Sequence, residues 1–154
     1  MPSKMAQIAL VMCVSFALVG CSAPEGTDEQ PPASQNEERP DLKEIMVTLG
    51  EESGHLNAGL WAEDFDAIAA AADSIANHPN VSDADRTLIQ QALGPDFAEF
   101  VKGDQRVHAT GLALSEAAKG QDLPEVLTLN AQLQRECVAC HTAFRDRLAD
   151  RADK

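Results

Sequence analysis

From Asp41 onward, apolar residues recur at steps of three and four, and no stretch alternates long enough to make a strand. Asp41 and Glu44 have capping-box spacing just after Pro40. The stripe Leu42, Met46, Leu49, Ser53, Leu56 and Leu60 then predicts a first amphipathic helix. A second starts near Glu63 and Asp64, carries Phe65, Ile68, Ala72 and Ile75, and stops before Pro79. Ser82 with Asp85 caps a third, which Gly94-Pro95 interrupts. It resumes through Phe97, Phe100, Asp104, Val107, Gly111, Leu114 and Ala118, with Gly103 as a weak point, and ends at Gly120. Asp122, Pro124 and Glu125 open a fourth, with Val126, Asn130, Leu133, Cys137, Cys140 and Phe144 as its seam. Four such helices with short connections predict an all-α, antiparallel up-down-up-down four-helix bundle over residues 41–154. No internal repeat goes beyond this shared pattern.

Several seam positions are small or polar: Ser53, Ala72, Asn130, Cys137 and Cys140. Protein interiors are close-packed, so side chains of this size leave space between helices. The chain is also poor in aromatics, with five Phe, one Trp and no Tyr. A flat apolar cofactor in the seam would account for both features.

The N-terminal pattern differs. Met1–Gly20 holds one charge, Lys4, followed by an apolar run from Met5 to Val19 that is too short to span a bilayer comfortably. It reads as an export signal. A buried core helix is the alternative, but the run has almost no polar face. It ends in Leu18-Val19-Gly20-Cys21, which resembles the bacterial lipobox. That resemblance implies diacylglycerol on the Cys21 sulfur, cleavage before Cys21 and acylation of the new amino group. Multiple acyl chains give stable membrane attachment. Cleavage by the ordinary signal peptidase, giving a soluble periplasmic protein, is the other reading. Ser22–Pro40 has four prolines, five acids and no large apolar residue, so it predicts a disordered tether. Such a tether reaches roughly 25 Å. The expected organisation is a signal peptide at 1–20, a lipidated tether at 21–40 and a helical domain at 41–154. Ser22 is not the aspartate associated with inner-membrane retention, which mildly favours the outer membrane.

Charge narrows the partners. Twelve Lys and Arg stand against 25 Asp and Glu, for a net charge of -13. No basic stripe can neutralise nucleic-acid phosphates at this balance, nor grip an anionic membrane electrostatically. No catalytic triad, recognisable carboxylate pair or phosphate loop is present, so an enzyme is not expected.

Chemistry concentrates in Cys137-Val138-Ala139-Cys140-His141. A thioredoxin-like Cys-x-x-Cys sits at a helix N-terminus after a strand, where the dipole lowers the thiol pKa. Here it lies deep in a helix, in a chain without strand signals. A structural zinc site needs four ligands, and His55, His78 and His108 form no second pair. Covalent haem attachment remains, with both thiols adding to the haem vinyl groups and His141 ligating iron. The three residues share one helix face at spacings of three and four. An export signal fits, because c-type haem is attached outside the bacterial cytoplasm. Among the other histidines, His55 reads as exposed and His78 as capping a helix end. His108 borders the third seam, where it could face a haem pocket.

The run CVACHTAFR on the last of four helices resembles the cytochrome c prime family, the class II c-type cytochromes. The resemblance covers Asp41 to about Asp150 and rests on Cys-x-x-Cys-His-x-x-Phe-Arg, with Phe144 and Arg145 in place. It implies a bundle enclosing one covalent haem c. Arg145 would lie beside the haem, near a propionate or the proximal pocket, although a solvated surface arginine is its plainer reading. The family divides on the distal side. High-spin members leave iron five-coordinate, and low-spin members use a methionine early in the first helix. Met46 holds that place, which a methionine also holds in the first helix of the soluble four-helix b-type cytochrome of bacterial periplasm. It is the only methionine left after the signal is removed. Met46 as a gap-filling core residue is the alternative. Leu49, Phe97 and Phe100 are candidate haem-wall residues.

The resulting expectation is a lipid-anchored electron carrier on the periplasmic side of a bacterial membrane, with histidine–methionine ligation. Its partner would be a periplasmic redox protein or membrane oxidoreductase with a basic docking patch. If Met46 does not ligate, the resemblance implies a five-coordinate binder of nitric oxide or carbon monoxide. A structural lipoprotein without haem is the blandest alternative. Many family members pair through their first two helices, so the resemblance leaves a homodimer open.

Overall fold

The computed structural model describes residues 39–149. The expected signal segment, Cys21 and most of the expected tether lie outside the described residues, as do the residues after Ala149. Five α-helices make up the described part: α1 (Leu42–Ala62), α2 (Phe65–Ala76), α3 (Asp83–Leu93), α4 (Phe97–Lys119) and α5 (Leu123–Ala149). Together they form the expected helical bundle, and no strand occurs among the described residues. The third predicted segment is divided as the Gly94-Pro95 pair required. A single 3-10 turn, Gly94–Asp96, separates α3 from α4, with Gly94 at φ 53°. No helix among the described residues is long and apolar enough to cross a membrane.

The caps follow the sequence closely. Asp41 and Glu44 form a reciprocal capping box on α1. Asp64 caps α2, Ser82 caps α3, and the Asp122 carboxylate accepts from Glu125 N–H at the start of α5. One cap crosses the fold. The buried Asp85 carboxylate accepts a 2.7 Å hydrogen bond from Leu42 N–H, tying the first turn of α3 to the start of α1. Arg39 and Pro40, the last residues of the expected tether, join the same junction. Pro40 carbonyl accepts from Ser82 N–H at 3.3 Å, and Arg39 lies 3.9 Å from Asp83.

Two seams close through small residues. At the α1–α2 hairpin, a Cβ added to Gly59 would lie 3.0 Å from Ile68 Cγ1. At the antiparallel α2–α4 seam, a Cβ on Gly111 would lie 3.0 Å from Ala76 Cβ and 3.2 Å from Ala72 carbonyl oxygen. Ala72 was expected to leave a gap. Instead, it is fully buried where these two backbones meet.

Side chains fill the interior as two clusters. The larger runs from Leu56 through Ile68, Ala72 and Ile75 to Leu114, Val126 and Leu133. The smaller joins Leu42, Ile89, Leu93, Phe144 and Leu148. Arg147 helps to hold α3 on α5, donating to the Ala92 and Leu93 carbonyls and pairing with Asp96 at 2.8 Å. By contrast, α1 and α5 pack loosely on each other. Between them runs a groove.

Candidate functional site

The groove holds two cavities, both walled by α1 and α5. The smaller, about 180 Å³, is lined by Ser53, Leu56 and Asn57 on one side and by Asn130, Leu133 and Cys137 on the other. Four of the five small or polar seam positions line a cavity of the groove, Ser53, Asn130 and Cys137 this one and Cys140 the larger. The larger, about 670 Å³, has Leu42, Lys43 and Met46 of α1 on one wall. Cys140, His141, Phe144, Arg145 and Leu148 of α5 form another, and Asp85, Leu88 and Phe100 close the end. Its volume lies in the range of small-molecule and cofactor sites, and its lining mixes apolar walls with a few polar groups, as such sites do.

The Cys137–His141 turn stands between the two clusters of core side chains. Cys137 packs against the larger cluster and Cys140 against the smaller. Gly103 lets α4 approach Cys140: a Cβ there would sit 4.0 Å from the Cys140 sulfur. The glycine that looked like a weak point in α4 thus lies buried against the motif. Both cysteines are free thiols. Burial pushes both thiols up, with Glu136 adding to the effect on Cys137 and Asp104 and Cys137 adding to it on Cys140. Thiols held this way stay protonated and are the opposite of a thioredoxin-like nucleophile.

Met46 and His141 lie on facing walls of the larger cavity, and both are exposed. The side chain buried from this part of α1 is Ile45, 3% exposed, whereas Met46 is 36% exposed. Met46 is therefore not a filler of the helical core. Phe144 and Phe100 meet edge to face, with ring centroids 5.7 Å apart, and both line the cavity. Arg145 lies at the rim and is largely solvated, 3.4 Å from Asp146. Two expected wall residues fall elsewhere. Leu49 packs against the larger core cluster, and Phe97 packs in the smaller one beneath Arg86. Lys43, Asp85, Leu88 and Leu148 line the cavity without having been foreseen. Leu148 continues the α5 seam one turn past Phe144, so extending that stripe would have found it.

The remaining histidines correct another expectation. His55 is exposed. His78 and His108 do not stand apart: their rings stack with centroids 4.3 Å apart, and both face Asp104. His108 consequently points to the α2–α4 side and not into the groove. Among the described residues, only His78, Asp104 and His108 bring three potential metal-ligand atoms within 4.8 Å of one another. Cys137, Cys140 and His141 do not converge in this way, so the motif is not arranged as a compact chelate.

In comparisons with protein-family models, characterised proteins and solved structures, nothing matches this chain.

Proposed function

We propose that the protein is a membrane-tethered periplasmic c-type cytochrome that carries single electrons through one haem c with histidine–methionine ligation. The observation that carries this reading is the groove: Cys140, His141 and Met46 line one cavity, and Cys137 lines the cavity next to it. The residues fit the group. Thiols stand one helical turn apart on the face of α5 turned to the groove, with an imidazole beside them and a thioether on the facing wall. Leu42, Leu88, Phe100, Phe144 and Leu148 supply an apolar surround. Lys43 and Arg145 stand at the mouth, where cations would meet the haem carboxylates.

When bound, the haem supplies the one-electron redox step. The chain's own residues do the rest. Cys137 and Cys140 would hold the macrocycle as thioethers, and His141 and Met46 would ligate its iron, a pairing that raises the reduction potential. The apolar walls exclude water, and the α3–α5 end keeps the pocket in shape. With both His141 and Met46 as ligands, the iron would have no position left for a substrate, which favours electron transfer over gas binding. The family likeness of CVACHTAFR and the apolar N-terminal run ending at Cys21 point the same way.

The test is the absorption spectrum, ferric and ferrous, of the protein matured in a host with haem-attachment machinery. A sharp low-spin ferrous spectrum, a weak ferric methionine-to-iron band lost in Met46→Ala, and indifference to carbon monoxide are expected. A broad high-spin spectrum that shifts with carbon monoxide would assign the protein to the five-coordinate gas binders. Absence of any haem band would overturn both readings.

A further inference from the structure

His78, Asp104 and His108 lie where the end of α2 meets α4, line neither cavity of the groove and take no part in the proposed electron transfer. Asp104 and His108 are four residues apart on one face of α4, and His78 reaches them from the segment following α2. His78 Nε2 is 3.3 Å from Asp104 Oδ1, and His108 Nε2 is 3.4 Å from Asp104 Oδ2.

The other ring nitrogens are already engaged. His78 Nδ1 faces the Pro79 carbonyl at 3.1 Å, and His108 Nδ1 faces the Ala76 carbonyl. A carbonyl oxygen can only accept, so each Nδ1 carries a proton and donates. In the neutral rings, both Nε2 lone pairs then face a carboxylate that also only accepts. His78 makes the conflict acute. Its side chain is 9% exposed, and its Nε2, although 3.3 Å from Asp104, has no aligned hydrogen-bond partner. Protonating one ring would let it donate to the carboxylate but leave the other Nε2 lone pair facing it, and protonating both would set two stacked cations against a single carboxylate. One divalent ion would satisfy all three groups.

We propose that His78, Asp104 and His108 bind a divalent transition-metal ion of the Zn²⁺ class. The donor set is two imidazoles and a carboxylate, which suits a borderline-soft metal. One ligand atom from each residue lies within 4.8 Å of the others, so a small closing movement brings them to the separation of about 3.3 Å between ligands that lie about 2.0–2.1 Å from a tetrahedral ion. The carbonyl-bound Nδ1–H groups are the outer partners that fix the tautomer of metal-bound histidine. His108 and Asp104 are partly exposed, which gives the ion an entry path and leaves a position for water. Bound there, the ion would fasten the segment after α2 to the middle of α4.

Calorimetric titration of the full chain with Zn²⁺ alone tests this. Cys137 and Cys140 carry haem in the preparation or, where haem is absent, are alkylated first, so that thiol chelation does not contribute and the outcome is independent of the haem reading. One equivalent of Zn²⁺ is expected per chain. His78→Ala, His108→Ala and Asp104→Asn should each weaken it at least about tenfold. His55→Ala, an exposed histidine outside the cluster, should leave it unchanged. Ring-nitrogen NMR of the unmutated chain guards against misfolded variants: Zn²⁺ should move the Nε2 resonances of His78 and His108 while both Nδ1–H protons persist. Failure to bind one equivalent, uptake indifferent to the three substitutions, or unmoved Nε2 resonances would each overturn the proposal.

Discussion

Where α2 lies against α4, alanine and glycine bring two backbones into contact. Ala72 and Ala76 meet Gly111, and Leu114 and Ala118 are fully buried beside them. Where α1 faces α5, the side chains are neither small enough to close the seam nor large enough to fill it, and two cavities remain. The first seam is stable as it stands. The second is a pair of walls whose apolar surface is half used. Helices from one chain, with similar amphipathic patterns, thus divide the work: one seam supports the fold and the other is left to hold something.

Substitutions should separate the two seams sharply. Leu114→Ala removes a fully buried side chain with close neighbours on all sides and should cost about 2–5 kcal/mol in the haem-free chain. Met46→Ala in the same preparation should cost under about 1 kcal/mol, because Met46 already meets solvent. Denaturant unfolding of both variants measures the contrast. Comparable losses would mean that the groove is packed as tightly as the core, and the division between seams would fall.

A second test needs no cavity. Gly111→Ala adds one methyl where the nearest atoms are Ala76 Cβ and the Ala72 and Ala76 backbone, none of which can swing aside. Overpacking of this kind costs about 1–3 kcal/mol, against the usual gain from replacing a helical glycine by alanine. A lowered melting temperature is expected. At Gly54, on the solvent side of α1, nothing lies within 4 Å of the added Cβ, and Gly54→Ala should stabilise by up to about 1 kcal/mol. If both glycines respond alike, helix propensity outweighs close approach at the α2–α4 seam.

These contrasts also mark what the sequence could disclose. Helix boundaries were legible because their signals are local: Asp41 with Glu44, Asp64, Ser82, Gly94-Pro95 and Asp122 all act within a few residues of themselves. The face of α5 bearing Cys137, Cys140 and His141 followed from helical spacing alone. What escaped depends on which helices touch. Met46 and Ile45 are adjacent and both apolar, and only the position of α5 decides which one meets the groove. His78 and His108 are 30 residues apart, and the antiparallel α2–α4 pairing stacks them. Asp85 looked like part of its own helix's start, yet its carboxylate also caps α1. Leu49 and Phe97 were placed by apolar character, which does not distinguish a core wall from a cavity wall.

The smallest expected effect lies at the closed seam and comes from protons. The neighbouring Asp104 carboxylate holds His78 above its ordinary value despite the opposing effect of burial, and the Pro79 carbonyl adds to this. Burial pushes Asp104 up, but His78 and His108 together bring it below the usual carboxylate range. A raised histidine contributes stability that is fully present below its unfolded pKa, about 6.5, and is lost as pH rises through the folded value. A lowered carboxylate contributes stability present above its unfolded value and lost as pH falls through the folded one. In the metal-free chain the His78–Asp104 contribution is therefore greatest between those limits and fades on the alkaline side first. Asp104 is partly solvated, so the effect should stay under about 1 kcal/mol. Thermal unfolding of the unmutated chain and His78→Gln, both with chelator, from about pH 5 to 9 measures it. The gap between the two melting curves should narrow as pH rises. A gap of constant width would mean that His78 stabilises the α2–α4 seam by packing alone, and the charge interaction would contribute nothing to holding α2 on α4.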